Sequence, residues 1–179
     1  MKPNITEVLI FFAGHGLSTP NEMFLLAHDS DTDLLEETAL SRTSLFKKIN
    51  SFKPKSVTVF FDTCYSGSSR DGEMLLADAR PVTLLTNENT NVPKNFTIFS
   101  ASQTDQISSG YKEAQHGLFS YFLMKGLEGE ADTNKDKRIT NGELIVYLDE
   151  KVSQKALELG RQQNPSLLGN PDQVLMSYR

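Results

Sequence analysis

"SVTVFFDTCYSGSSR" (56–70) changes character halfway along. Between Ser56 and Asp62 every residue is apolar or β-branched, which predicts a strand buried on both faces. After Thr63 the residues are small and flexible. Cys64, the only cysteine in the chain, stands at the join. Upstream, "VLIFFAGHG" (8–16) has the same form, an apolar run ending in Gly-His-Gly, and predicts a second buried strand over 8–13. Downstream, "FTIFSAS" (96–102) predicts a third.

Helical patterns separate these runs. Leu45, Phe46 and Ile49 place a helix near 38–51, stopped by Lys53-Pro54. Leu118, Phe119, Phe122, Leu123 and Leu127 form one stripe of a helix over 117–129. A further helix spans about 141–159, with Gly160 as its stop. "MFLLAHD" (23–29) reads as a short strand or hairpin arm, "DQVLMSY" (172–178) as a last strand, and 65–95 as a long loop. Strands alternating with helices predict an α/β domain with a mainly parallel sheet, whose functional residues gather beyond the carboxyl ends of the strands. His15 and Cys64 fall just past two such ends.

A thiol becomes a nucleophile when a neighbouring base favours the thiolate, and the same imidazole can later protonate a leaving amine. Gly14 and Gly16 suit a sharp turn and a close backbone approach. The amides of Gly16 and Cys64 are candidates for an oxyanion hole. Against this stand plainer roles: a lone cysteine is most often a small buried apolar residue, and a lone histidine at a strand end a capping residue.

The 179 residues suit one domain, 1–179, and a 38% hydrophobic content suits a packed core. A net charge of −5 argues against nucleic acid as a partner. One cysteine forms no internal disulfide, which fits a reducing, cytoplasmic setting. The apolar run near the N-terminus is too short for a signal-peptide core or a membrane span.

Several blocks together resemble the caspase-like cysteine peptidases, in particular the bacterial and metacaspase branch (peptidase C14). "FFAGHG" (11–16) is similar to the catalytic-histidine block, and "VFFDTCYSG" (59–67) to the catalytic-cysteine block. "MFLLAHDSD" (23–31), "FTIFSASQTDQISSG" (96–110) and "HGLFSYFLMKGL" (116–127) resemble the segments that follow, in the family's order. The interval from His15 to Cys64 matches the roughly 50 residues seen in caspases.

The resemblance implies a three-layer αβα sandwich and a Cys-His dyad, with Cys64 as nucleophile and His15 as general base, hydrolysing peptide bonds of a protein or peptide substrate. The family's Gln-Ala-Cys signature of true caspases reads Asp-Thr-Cys here. Asp62 then matches the acid that metacaspase-like members use to bind the residue before the cleaved bond, which implies cleavage after Arg or Lys. Its plainer role is an acid capping a loop. Ser100 and Ser102 match the strand edge beside the same pocket, and Asp105 adds a second negative charge. Two acids suit a guanidinium better than an ammonium. Autoprocessing sites would be Arg70-Asp71 or Lys94.

In the family the strand bearing the histidine is the third, whereas here it is the first. The chain is therefore expected to lack two N-terminal strands with their helices and to leave an apolar sheet edge open. That supports a rival reading as a catalytically weak caspase-fold binding or scaffold module. A third reading takes Cys64 and Arg70, with five residues between them, as the phosphate loop of a cysteine-dependent phosphatase. It leaves the "AGHG" block unused and sets Asp62 and Asp71 against a phosphate.

"DTNKDKRITNGE" (132–143) follows the twelve-position EF-hand pattern. Asp132, Asn134, Asp136, the carbonyl of Arg138, Thr140 and Glu143 fall at ligand positions for Ca2+, with Lys137 in place of the usual glycine. The alternative is a turn whose acids cap the next helix. No cofactor is needed for the thiol chemistry; a second calcium site would draw on Asp71 with Asp29 or Asp31.

Overall fold

The computed structural model describes residues 6–19, 22–64, 92–102, 110–111 and 116–178. The long loop expected over 65–95 falls mostly outside them, and with it Arg70 and Asp71.

The first strand, β1 (Glu7–Ser18), is followed by β2 (Met23–Leu26). A 3-10 turn, the short helix α1 (Leu35–Thr38), β3 (Leu40–Ser41) and helix α2 (Arg42–Asn50) come next. The helix expected over 38–51 is thus shorter. Ser41 ends β3 and caps α2, its hydroxyl accepting from the Ser44 amide at 3.1 Å. Strand β4 (Ser56–Cys64) and strand β5 (Phe96–Ser100) complete the expected trio. A two-stranded ribbon, β6 (Gly110–Tyr111) and β7 (His116–Gly117), leads into helix α3 (Leu118–Lys125) and a π-turn over Gly126–Glu130. Then come β8 (Arg138–Thr140), helix α4 (Asn141–Glu158), β9 (Ser166–Leu168) and β10 (Val174–Ser177). Thr140 and Glu143 make a reciprocal capping box at the start of α4. Gly160, at φ 70°, ends it.

The main sheet has the order β3-β2-β1-β4-β5-β9. Its centre, β1-β4-β5, is parallel, and β2, β3 and β9 run antiparallel at the flanks. The side chains of β4 show why this strand sits in the middle. Val57, Val59 and Phe61 pack with Phe46 of α2 on one face, and Phe60 packs with Leu118, Phe119, Leu148 and Val152 of α3 and α4 on the other. Helices on both faces give the α/β sandwich.

The end of the chain forms the expected strand; β10 pairs with β8 outside the main sheet, whose edge is taken by β9 against β5. One expectation is corrected, because β1 is not buried on both faces: Val8, Ile10 and Phe12 pack toward α2, whereas Leu9 and Phe11 are 65% and 50% exposed. The apolar run reads alike in both cases; whether a layer covers it is decided elsewhere in the chain. β2 meets β1 only at His15–Ser18, so among the described residues Glu7–Gly14 has no strand partner on that side.

Candidate active site

β1 and β4 run parallel in unbroken register from Glu7 opposite Ser56 to His15 opposite Cys64. The two residues picked out for chemistry are therefore direct neighbours on adjacent strands, whose axes lie about 4.8 Å apart. Neither lies wholly beyond a strand. Cys64 is the last residue of β4, while β1 continues past His15 to pair with β2. His15 is exposed, on the same face of β1 as Phe11 and Ala13.

Gly14 and Gly16 stay in extended backbone with no positive φ, so the sharp turn expected of them does not occur. Gly16 is buried and pairs with Leu25. The strand needs no turn there because β2 carries its ladder onward.

Asp62 is fully buried, opposite Ala13. Its carboxylate faces α3: Oδ2 accepts from the Ser120 amide at 3.3 Å and from the Ser120 hydroxyl. The N-cap residue of α3, Gly117, has no side chain to cap the helix. Asp62 serves that position from another strand, and the missing Cβ makes room for it, since a Cβ on Gly117 would lie 2.0 Å from Oδ2. A carboxylate also suits the positive end of the helix. Ser120 and Gly117 went unnoticed in the sequence, where they read only as the start of an amphipathic helix.

Ser100 ends β5 between Phe61 of β4 and Ser166 of β9, and Ser102 is buried just beyond it. The segment is tied at Ala101, whose amide donates to the Phe61 carbonyl at 2.8 Å. The Ala101 carbonyl accepts from the side-chain amide of buried Gln163 at 3.0 Å. Gln163 is a second residue that sequence patterns did not single out. Asp105 lies outside the described residues.

A groove of about 630 Å³ runs between the open face of β1 and α3. Leu9, Phe11, Leu123, Met124 and Leu127 line its length, and Ala13, His116, Gly117 and Ser120 line the end nearest Asp62.

The 132–143 loop turns its acids onto its own backbone. Asp132 accepts from the amides of Asp136 and Lys137, Asn134 from Asp136, and Asp136 from Arg138. Glu143 accepts from the amide and hydroxyl of Thr140. Tyr178 donates to Asp132 at 2.5 Å, which holds that carboxyl below its ordinary value and pushes the phenol up to about 12. Lys137 adopts φ 64°, the left-handed turn that glycine usually supplies there. Among the described residues no group of three or more His, Cys, Asp or Glu side chains gathers to hold a metal. No described helix is long and apolar enough to cross a membrane.

No curated protein matches the chain. Among solved structures, it is similar to protein GSU0716 from Geobacter sulfurreducens, with a TM-score of 0.54 at 15% identity, over 98% of this chain and 70% of that one. At that identity the likeness shows the fold. The family model of the caspase domain, Peptidase C14, matches residues 3–174, so nearly all of the chain carries the pattern. The chain belongs to the caspase-domain family of cysteine peptidases.

Proposed function

We propose that the chain is a cysteine endopeptidase in which Cys64 and His15 act as a dyad. The observation that carries this reading is their register: two residues 49 positions apart in sequence (64 − 15) stand side by side on adjacent parallel strands. In the reaction the Cys64 thiolate attacks the scissile carbonyl, and a C–S bond forms as the C–N bond breaks. His15 protonates the departing amine and then activates the water that releases the acyl group. The amides of Gly16 and Cys64 would hold the oxyanion. Asp62, with Asp105, would meet an Arg or Lys side chain of the substrate, beside Ser100 and Ser102. A buried carboxylate attracts a cation more strongly than an exposed one.

The test is hydrolysis of peptide amides ending in Arg, Lys or norleucine. Turnover of the basic pair, lost in Cys64→Ala and reduced at least a hundredfold in His15→Ala, is expected, the order of effect of general acid–base catalysis. Equal turnover of all three peptides would remove the basic preference, and turnover surviving Cys64→Ala would remove the dyad.

Among the described residues Glu7–Gly14 of β1 has no strand partner on one side, which favours the scaffold reading instead, in which no thiol-dependent turnover occurs. Calcium at the 132–143 loop is a separate proposal, favoured by the left-handed turn at Lys137. Heat on titration with millimolar calcium, absent in Asp132→Ala, is the expected result.

A further inference from the structure

Asp62 lies two residues before Cys64 and holds its carboxylate in a seat that β4 does not itself provide. The seat belongs to α3. Ser120 stands at the third position of that helix, where an N-cap side chain ordinarily finds its amide partner. Here the partner is a carboxylate from a strand 58 residues away in sequence. Ser120 supplies both an amide and a hydroxyl to the same oxygen, Oδ2. Two donors from one residue fix the plane of a carboxylate better than one. Gly117 closes the other side, because any side chain there would occupy the position of Oδ2.

The rest of the surroundings add to this. Ala13, opposite Asp62 on β1, is a small residue, and with Gly117 and Ser120 it lines the end of the groove. Leu118 and Phe119, between Gly117 and Ser120, are fully buried in the core against Phe60 and Phe99. The start of α3 is therefore anchored by packing, and Asp62 is oriented by a fixed element.

We propose that Ser120 is the positioning residue of substrate specificity: by holding Oδ2 of Asp62 it aims the carboxylate at the basic side chain of the substrate. This deepens the reading of Asp62 given above and rests on it. Ser120 acts through Asp62. Loss of its hydroxyl removes one of the two hydrogen bonds that Ser120 gives to Oδ2 and so loosens the aim of the carboxylate, which lowers the preference for Arg over a neutral side chain of similar length and leaves the remainder of the peptide bound as before.

The experiment uses the whole chain with Cys64→Ala, so that bound peptide is not turned over, and titrates it with matched peptides ending in Arg or norleucine. The parent is expected to prefer Arg. Adding Ser120→Ala is expected to cut the Arg-to-norleucine affinity ratio roughly tenfold, the scale of one hydrogen bond to a charged group, with the norleucine peptide unaffected. Ser120→Thr, which keeps the hydroxyl, is expected to restore the ratio. An undiminished ratio in Ser120→Ala overturns the proposal, as does equal weakening of both peptides or a Thr variant that behaves like Ala. Asp62→Asn separates the two levels. If it abolishes the Arg preference while Ser120→Ala does not, only the positioning role falls; if it leaves the preference intact, the assignment of Asp62 falls, and this inference with it.

Discussion

Replacing Gly117 by alanine tests the seat of Asp62 directly. The added Cβ would lie 2.0 Å from Oδ2 and 2.9 Å from the carboxyl carbon, well inside van der Waals contact. Something must move by more than an ångström. A carboxylate is the end of a side chain, and a free one would swing away at little cost. Asp62 is fully buried and bonded twice to Ser120, so swinging away forfeits two hydrogen bonds to a charged group. At roughly 1.5–3 kcal/mol each, that amounts to about 3–6 kcal/mol. The alternative, an outward shift of α3, strains the packing of Leu118, Phe119 and Leu123 and costs a comparable amount, about 3 kcal/mol, the scale of a core cavity. Gly117→Ala should therefore lose at least about 3 kcal/mol. For a chain of this size that lowers the melting temperature by about 6–12 °C. Ser120→Ala, which removes only the hydroxyl, should lose about half as much. Urea unfolding monitored by circular dichroism measures both. A Gly117→Ala protein within about 1 kcal/mol of the parent, or less affected than Ser120→Ala, would refute the fixed seat, because it would mean that Asp62 rotates freely.

Lys137→Gly should stabilise the chain by about 0.5–1 kcal/mol, because relief of a left-handed lysine at φ 64°, about 1–2 kcal/mol, exceeds the extra entropy of an unfolded glycine; an unchanged urea midpoint would count against it. Glu22 is subject to two opposing effects: burial raises its pKa, while hydrogen bonds from Ser41, the Met23 amide and Thr43 outweigh burial and leave it lowered. Its stabilising contribution is therefore present above the ordinary carboxylate value and lost as pH falls through the lowered one. Glu22→Gln should weaken the protein at pH 7, by a margin in urea midpoint that shrinks as the pH falls through the lowered value. Gln163→Leu leaves the Ala101 carbonyl without its side-chain donor and should cost about 1–3 kcal/mol, seen as a lower melting temperature.

Much of the site was readable from local chemistry. Continuous apolar runs placed β1, β4 and β5, because apolar and β-branched residues favour strands in the body of a parallel sheet. The Gly-His-Gly and Asp-Thr-Cys blocks sat at the ends of two such runs, and the parallel register brings them together. Capping of α4 by the 132–143 segment was also anticipated, as the alternative to a calcium loop, though the N-cap is the threonine Thr140 paired with Glu143. The partners of Asp62 and Ala101 were not visible. Ser120 and Gln163 carry no pattern of their own, and each gains its role from a backbone or carboxylate group more than fifty residues away. The open face of β1 was misjudged for the same reason: Leu9 and Phe11 have the composition of buried residues, and their exposure depends on what other segments cover.

The amino-acid order by itself determined which segments extend, which coil, and which two chemically able residues, His15 and Cys64, close the two apolar runs. These depend on side-chain period, β-branching and capping, which act over a few residues. Only the tertiary structure decided that β9 rather than β10 pairs with β5, that Leu9 and Phe11 of β1 are exposed, and that the acid before Cys64 is held by α3. Those outcomes depend on the packing of segments far apart in sequence, where many pairings share the same local pattern and burial of apolar surface selects among them.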